Sequence, residues 1–293
     1  MMAHKQADIW VYNPGSGQHE KEIICAEKWL RIIYESPVGS ATLQHLLKRK
    51  MLSRLYGMYC RTRQSAKGIP QFIEQNKVDM TGCQGPYNSF ADFFSREKQG
   101  ITFPEAPDKL GAPCEGVAFA HTDISKEKLI AAKGSYFSLA ELFDDEALAD
   151  AYQGGTMLQI RLAPANYHRL HFFDDGMVTG VKFIDGDLFS VSPLAVRRVA
   201  RLYCQNKRAL ISFSSQHFGD VVMVEVGATF VGSMVHCFEE NERVQRGQLA
   251  SYFLPGGSLV LFFFKKGMFT PKETLLEQTL AGYETKICVG EVL

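Results

Sequence analysis

The sequence predicts an α+β protein: an N-terminal helical region packed on a β-rich body whose sheet is mostly antiparallel or mixed. Three observations carry this. Apolar residues recur at helical spacing in several stretches up to about residue 76. From about Gly111 onward, short runs rich in β-branched and aromatic residues take over, separated by Gly, Asp and Pro. Few helical stretches stand between those runs, which argues against the strand–helix alternation of a doubly wound parallel sheet. The division that follows is a helical region over 1–87 and a β-rich body over 88–293.

The elements follow in chain order. NPGSGQHEKE (13–22) lacks the strand–loop–helix setting and the Gly-Lys-Ser/Thr ending of a phosphate loop, and reads as a surface turn. AEKWLRIIY (26–34) carries Trp29, Leu30, Ile32 and Ile33 at helical spacing before SPVGS breaks it. LQHLLKRKMLSRLYGMYCRTRQ (43–64) sets Leu43, Leu46, Leu47, Leu52, Leu55, Tyr56 and Tyr59 against Lys48, Arg49, Lys50, Arg54, Arg61 and Arg63. Such a helix either turns a solvated face to water or lies on an anionic bilayer surface. A short helix follows at 69–76, then a Gly/Asn-rich connection at 81–89 and the segment SFADFFSRE. GVAFA, TMLQIRLA, MVTGVKFI, ALISFSS, VVMVEVGATFVGSMVHCF and SLVLFFF are the strand candidates, with a helical interruption at 138–151.

Composition narrows the function classes. At 293 residues the chain buries a substantial core. Lys plus Arg and Asp plus Glu both number 32, so no global field recruits nucleic acid. Seven cysteines, at 25, 60, 83, 114, 204, 237 and 288, form no CxxC pair, the pattern of reduced cytoplasmic thiols. The longest apolar run, Leu259–Phe264, is strand-sized and far short of the ~20 residues of a spanning helix. No charged-then-apolar leader is expected, and no membrane span.

Two features hold chemistry. His168 and His171 in NYHRLH have no carboxylate or cysteine close by in sequence, so a metal site is not expected, and alone they read as structural histidines. Two Gly-Ser pairs compete for attention, Gly257-Ser258 in YFLPGGSLVLFFF (252–264) and Gly232-Ser233 in ATFVGSMVH.

The wider context of these features resembles the phosphatidylserine decarboxylase family. The segments that carry the likeness are NSFADFFSRE (88–97), AAKGSYFSLAELF (131–143), RLAPANYHRLHFFDDG (161–176), GDLFSVSPLAV (186–196) and NKRALISFSSQHFGDVVMVEVGATFVGSM (206–234). EKWLRIIYESPVGS and LSRLYGMYCRTRQSAKGI resemble the longer bacterial form of that family. The resemblance implies a proenzyme that cuts itself before a serine, which then becomes a covalent pyruvoyl group. QRGQLASYFLPGGSLVLFFF matches the family's cut region, which places cleavage between Gly257 and Ser258, whereas Ser233 falls in a separate strand block. Paired glycines suit such a site, because the serine hydroxyl must reach the preceding carbonyl carbon through a bent backbone.

By the same resemblance His171 is the base, Glu115 of APCEGVA stands at the carboxylate position, and His168 binds substrate or protonates the product. The three central residues, 115, 171 and 258, are 56 and 87 positions apart, so only the fold can bring them together. The implied reaction is decarboxylation of phosphatidylserine to phosphatidylethanolamine, with the pyruvoyl group from Ser258 as electron sink and no metal. Implied partners are the phospholipid, the cytoplasmic side of a membrane as a peripheral protein, and the two fragments of one proenzyme. A homodimer is allowed. Several positions depart from the family pattern: Glu115 replaces Asp, Leu259 replaces Thr, Phe173 replaces Pro, and 246–251 reads RGQLAS where the family has Lys-Gly-x-Glu-x-Gly. These departures keep two other readings open, decarboxylation of a free amino acid such as an aromatic one, and an unprocessed lipid-binding homologue.

Overall fold

The computed structural model of the chain describes residues 8–25, 27–28, 30–31, 50–127, 129–132, 135–196, 201–227, 234–256 and 258–293. Much of the 26–34 helix, the first part of the 43–64 helix, Ser233 and Gly257 lie outside the described residues.

The chain opens as sheet. Strands β1 (Trp10–Asn13) and β2 (Gln18–Lys21) form an antiparallel hairpin in which Trp10 faces Lys21 and Asn13 faces Gln18. This overturns the expected helical N-terminus. The 13–22 stretch does contain a turn, closed by Gly17 N donating to Asn13 O at 2.9 Å, but strands flank it. Periodicity had nothing to count there, because each strand has four residues and β2 reads QHEK. What makes β1 a strand is a distant partner, β15 (Glu284–Ile287), with which it pairs in parallel. Tertiary pairing overrides weak local preference.

Helical structure follows. After α1 (Lys50–Cys60) and a 3₁₀ turn at Arg63–Gly68 comes α2 (Ile69–Asn76), opened by Pro70 in its first turn and closed by a left-handed Lys77. α3 (Phe90–Phe94) is N-capped by Ser89, whose side chain accepts from Asp92 N, and it buries Phe93 and Phe94.

The body is built on one ten-stranded sheet. From edge to edge it runs β12 (Arg243–Val244), β8 (Gly176–Ile184), β9 (Arg208–Ser215), β10 (Gly219–Val226), β14 (Ser258–Phe264), β6 (Thr156–Leu162), β3 (Gly116–Thr122), β15, β1 and β2. Neighbours are antiparallel except β1 and β15, in line with the mostly antiparallel or mixed sheet that was expected. A three-stranded antiparallel sheet of β11 (Met234–His236), β13 (Leu249–Phe253) and β7 (Arg169–His171) packs over one face. Leu170, Ala250 and Phe253 meet Val260, Phe262 and Phe264 of β14 there. A two-stranded ribbon, β4 (Leu129–Ala132) and β5 (Ser135–Phe137), lies on the other side. With it lie α4 (Leu139–Phe143), α5 (Glu146–Ala151), α6 (Pro193–Val196) and α7 (Leu202–Gln205), and this layer covers Leu259, Leu261 and Phe263. Helix α8 (Glu273–Ala281) links β14 to β15 and sends Leu275 into the core that holds Val260, Phe262 and Phe264.

β14 is therefore buried on both faces, which is why its sequence is an unbroken apolar run after Ser258.

A buried ion cluster ties the hairpin to this sheet. Arg161 of β6 donates through Nη1 and Nη2 to Glu22 at 2.8 and 2.9 Å, and through Nε to Glu284 of β15 at 3.0 Å. Removing one member of a buried ion network strands the others. Arg161→Ala should lower stability by about 3–5 kcal/mol, read as a shifted urea midpoint, and a loss below about 1 kcal/mol would contradict that account.

Candidate active site

Ser258 opens β14, directly opposite Leu162, the last residue of β6. Just before it, Gly256 has φ of 149°, a backbone region that residues with a side chain rarely adopt, so the first glycine of the pair is required by conformation. Alternation along β14 sends the Ser258 side chain between the two sheets, on the face of Val260 and Phe262. Its Oγ is fully buried and has no hydrogen-bond partner among the described residues. A buried hydroxyl in that condition costs about 1–3 kcal/mol, so its retention calls for a chemical reason.

Residues 163–168 leave β6 beside Ser258 and return as β7, and they are held from three sides. Asn166 Oδ1 accepts from Ala163 N at 2.7 Å, and Asn166 Nδ2 donates to Glu115 Oε1 at 3.0 Å. Arg96 Nη2 donates to Ala165 O at 3.0 Å and to Asn166 O at 3.2 Å. His168 Nδ1 also bonds Asn166 O, at 2.9 Å. A carbonyl only accepts, so Nδ1 carries the ring proton and Nε2 is left as a bare lone pair. That Nε2 is buried without a partner among the described residues, and the ring centroid lies 3.8 Å from that of Phe94. Burial pushes the His168 pKa down to about 3, only partly opposed by its bond to Asn166, and the nearby Arg96 charge pushes it the same way.

Phe253 N donates to His168 O at 3.0 Å, extending the β13–β7 ladder by one step. Leu170 and Phe253 point into the core between the sheets, so alternation turns His168 the same way, toward the face that carries Ser258. His171 falls at the opposite phase. Its Nδ1 donates to Gly247 O at 2.9 Å, and its Nε2 accepts from Tyr167 Oη at 3.0 Å, with the two rings stacked at 16°. Its pKa is lowered by burial. Glu115 stands just before β3, with its carboxylate on Asn166 and with Lys98 Nζ at 3.6 Å. The fold thus gathers Ser258, His168, His171 and Glu115 around one loop and one end of the sheet. In the described chain Glu115 bonds Asn166 and Lys98, and His171 bonds Tyr167 and Gly247.

The family model described as phosphatidylserine decarboxylase matches residues 88–293. The chain belongs to that family. Among its relatives, the phosphatidylserine decarboxylase proenzyme of Clostridium novyi (strain NT) is 40% identical over 288 residues, covering 97% of this chain and 98% of that one. The proenzyme of Ruminiclostridium cellulolyticum is 38% identical over 290 residues, covering 97% of each chain. That of Clostridium perfringens (strain SM101 / Type A) is 37% identical over 292 residues, with 97% and 99% covered. The likeness to decarboxylase proenzymes therefore extends well beyond the segment that the family model matches.

Several polar residues of this decarboxylase family member escaped sequence reasoning. Glu225 of β10 is fully buried opposite Val260, on the same sheet face as Ser258, and it accepts from Ser251 Oγ and from His236 Nε2, the latter at 2.9 Å. The signal was available, since a glutamate interrupts VVMVEV where alternation calls for an inward apolar residue. Tyr167, Asn166 and Arg96 carried no comparable mark.

A second Ser-His-Asp group, Ser215, His217 and Asp174, mimics a triad by composition alone. Ser215 Oγ donates to Asp174 Oδ2 at 2.5 Å, while His217 Nδ1 and Arg246 Nη2 bond Asp174 Oδ1 at 2.9 and 2.7 Å. Its hydroxyl meets the carboxylate and not the imidazole, so no base is presented to it. The group fixes the turn into β8, and Arg246, from the segment that departs from the family pattern, extends it to Pro104 O at 2.6 Å.

Among the described residues no cluster of His, Cys, Asp or Glu is arranged to hold a metal, and no helix is long and apolar enough to cross a membrane.

Proposed function

We propose that Ser258 is both the nucleophile that cuts this chain and the source of the pyruvoyl group with which it decarboxylates phosphatidylserine to phosphatidylethanolamine. The observation that carries this is the Ser258 hydroxyl, buried and unpartnered after a glycine pair at the head of a central strand. Ser258 Oγ attacks the carbonyl carbon of Gly257, its proton passes to a base, and the amide becomes an ester. Loss of the Cα proton of residue 258 then expels the Gly257 carboxylate and leaves dehydroalanine. Water converts this to the pyruvoyl group, releasing ammonia. Once formed, that group supplies an electron sink for the pair left behind as carbon dioxide departs.

His171 takes the serine proton. Its Nδ1–H is fixed on Gly247 O, which makes Nε2 the basic atom, and Tyr167 must yield that atom for the transfer. His168, held near a pKa of 3, is too weak a base to store the proton, and it serves the mature site instead. Glu115 acts by anchoring Asn166 and with it the loop that carries both histidines.

Topology supports a product of two fragments that stay together. Residues 258–293 supply β14 between β10 and β6, and β15 between β3 and β1. For the lipid, α1 exposes Leu55, Met58 and Tyr59 next to the exposed Arg61, Arg63 and Lys67, which suits peripheral contact with an anionic surface on the cytoplasmic side.

A denaturing mass measurement tests the cleavage. It should show fragments 1–257 and 258–293, the second lacking a terminal amine, together with carbon dioxide release from phosphatidylserine vesicles. A single intact chain after long incubation sinks the proposal. Release from free aromatic amino acids but not from vesicles reassigns the substrate.

A further inference from the structure

Among the described residues, Arg96 is a buried cation without an anion. It follows α3, is 3% exposed, and lies 5.0 Å above the Phe93 ring. Nη2 is spent on the carbonyls of Ala165 and Asn166, but Nε and Nη1 are buried with no partner. The carboxylates nearest in sequence are engaged elsewhere, Asp92 with Asn88 N and Glu97 with Arg169, and Glu115, which holds the same loop, bonds Asn166 and Lys98. A guanidinium is charged at any working pH, so placing one in the interior with no counter-charge is costly unless an anion arrives.

The location is specific. Arg96 Nη2 and His168 Nδ1 share the Asn166 carbonyl, which puts them within about 6 Å of each other. The same loop starts beside Leu162, the cross-strand partner of Ser258. Tyr87 Oη, whose ring packs 5.5 Å from Phe93, is also buried and unpartnered. Donors on Arg96 and Tyr87, the His168 lone pair and the Ser258 hydroxyl thus lie unsatisfied around one loop.

We propose that Arg96 binds the phosphodiester of the phosphatidylserine headgroup and so sets the position of the serine moiety relative to residue 258, an inference that rests on the decarboxylase reading above. The headgroup offers two anions, and the chemistry chooses between them. The carboxylate leaves as neutral carbon dioxide, so a cation held against it would stabilise the ground state more than the transition state. The phosphodiester keeps its charge throughout and gains from a fixed cation. Cleavage severs the covalent link between β13 and β14, the two strands that flank the loop.

The test compares self-processed wild type, Arg96→Gln and Arg96→Lys on two soluble substrates. One is glycerophospho-L-serine, and the other is an O-alkyl-L-serine without phosphate. Arg96→Gln should lose on the order of 10- to 100-fold more in kcat/KM on the phosphodiester than on the O-alkyl compound, with Arg96→Lys between. Equal losses on both substrates overturn the proposal, because Arg96 then braces the loop or meets the carboxylate that both substrates carry. A loss confined to the O-alkyl compound also overturns it.

A second readout needs no turnover and covers a variant that fails to mature. Glycerophosphoethanolamine, which has the phosphodiester but no carboxylate, should raise the melting temperature of the processed wild type and not that of Arg96→Lys to the same degree. No shift in wild type overturns the proposal. Wild type that is cut but releases no carbon dioxide from phosphatidylserine shows a different failure, that of the decarboxylase reading itself.

Discussion

Ser258→Ala is expected to leave the chain in one piece. Without the hydroxyl there is no internal nucleophile, no ester and no residue that can become a pyruvoyl group, so decarboxylation falls to background. The same change should not weaken the fold. Ser258 Oγ is buried and makes no hydrogen bond, so its removal leaves no partner stranded and relieves a desolvation cost on the order of 1 kcal/mol. The expected signature is therefore an uncut, inactive chain that unfolds at equal or slightly higher denaturant. Mass analysis and a urea titration on the same sample read both parts. A 258–293 fragment from the variant would transfer the nucleophile's role elsewhere. Hydroxylamine gives a further check on the parent chain, since it should intercept the ester and release a fragment that still begins with serine.

The sign of the stability effect separates Ser258 from ordinary strand residues. Leu259 and Val260 are equally buried, and truncating either removes packing on one face of β14, which costs about 2–5 kcal/mol for a core Leu. Only the first position of the strand carries a side chain that contributes nothing visible to the folded state. Leu259 in place of a family Thr fits the same geometry. It points away from Ser258, into the apolar layer with Leu261 and Phe263, where a hydroxyl would need a partner.

What the sequence showed of this arrangement depended on how far each residue's role reached. β14 was legible because a strand buried on both faces writes itself as a continuous apolar run, and α2 because Pro70 and a short periodic stretch bound it. The β1–β2 hairpin was not, since QHEK has no apolar period and its strand character comes from a partner at the other end of the chain. Ser258 and the two histidines were placed by likeness to a family. The bond from Asn166 to Glu115, and the choice of Tyr167 for His171, depend on the path of one loop, which no spacing rule encodes. Arg96 was hidden for a different reason. In SRE it looks like any surface charge, and only the fold shows that it is buried without a counter-ion among the described residues.

His171→Ala should stop cutting, while His168→Ala should still yield fragments but decarboxylate poorly. Loss of a general base costs about 100- to 10,000-fold, which turns complete processing into an almost intact chain on the time scale of the parent. The working form of His171 is neutral, and burial holds its pKa below the ordinary histidine value. Cutting by the parent should therefore be insensitive to pH from about 8 to 7 and fall only below the usual range near 6.5, as the ring at last takes a proton. Tyr167→Phe removes the hydroxyl that occupies Nε2 and should speed cutting, an effect opposite to that expected if Tyr167 merely oriented the ring. His168 has its own signature in acid. The folded chain keeps it neutral down to about 3, while the unfolded chain protonates it below about 6.5. Its contribution is thus present above 6.5 and is lost as pH falls toward 3, and His168→Gln should flatten that part of the stability profile. Full cutting by His171→Ala, with an intact chain from His168→Ala, would move the base to His168.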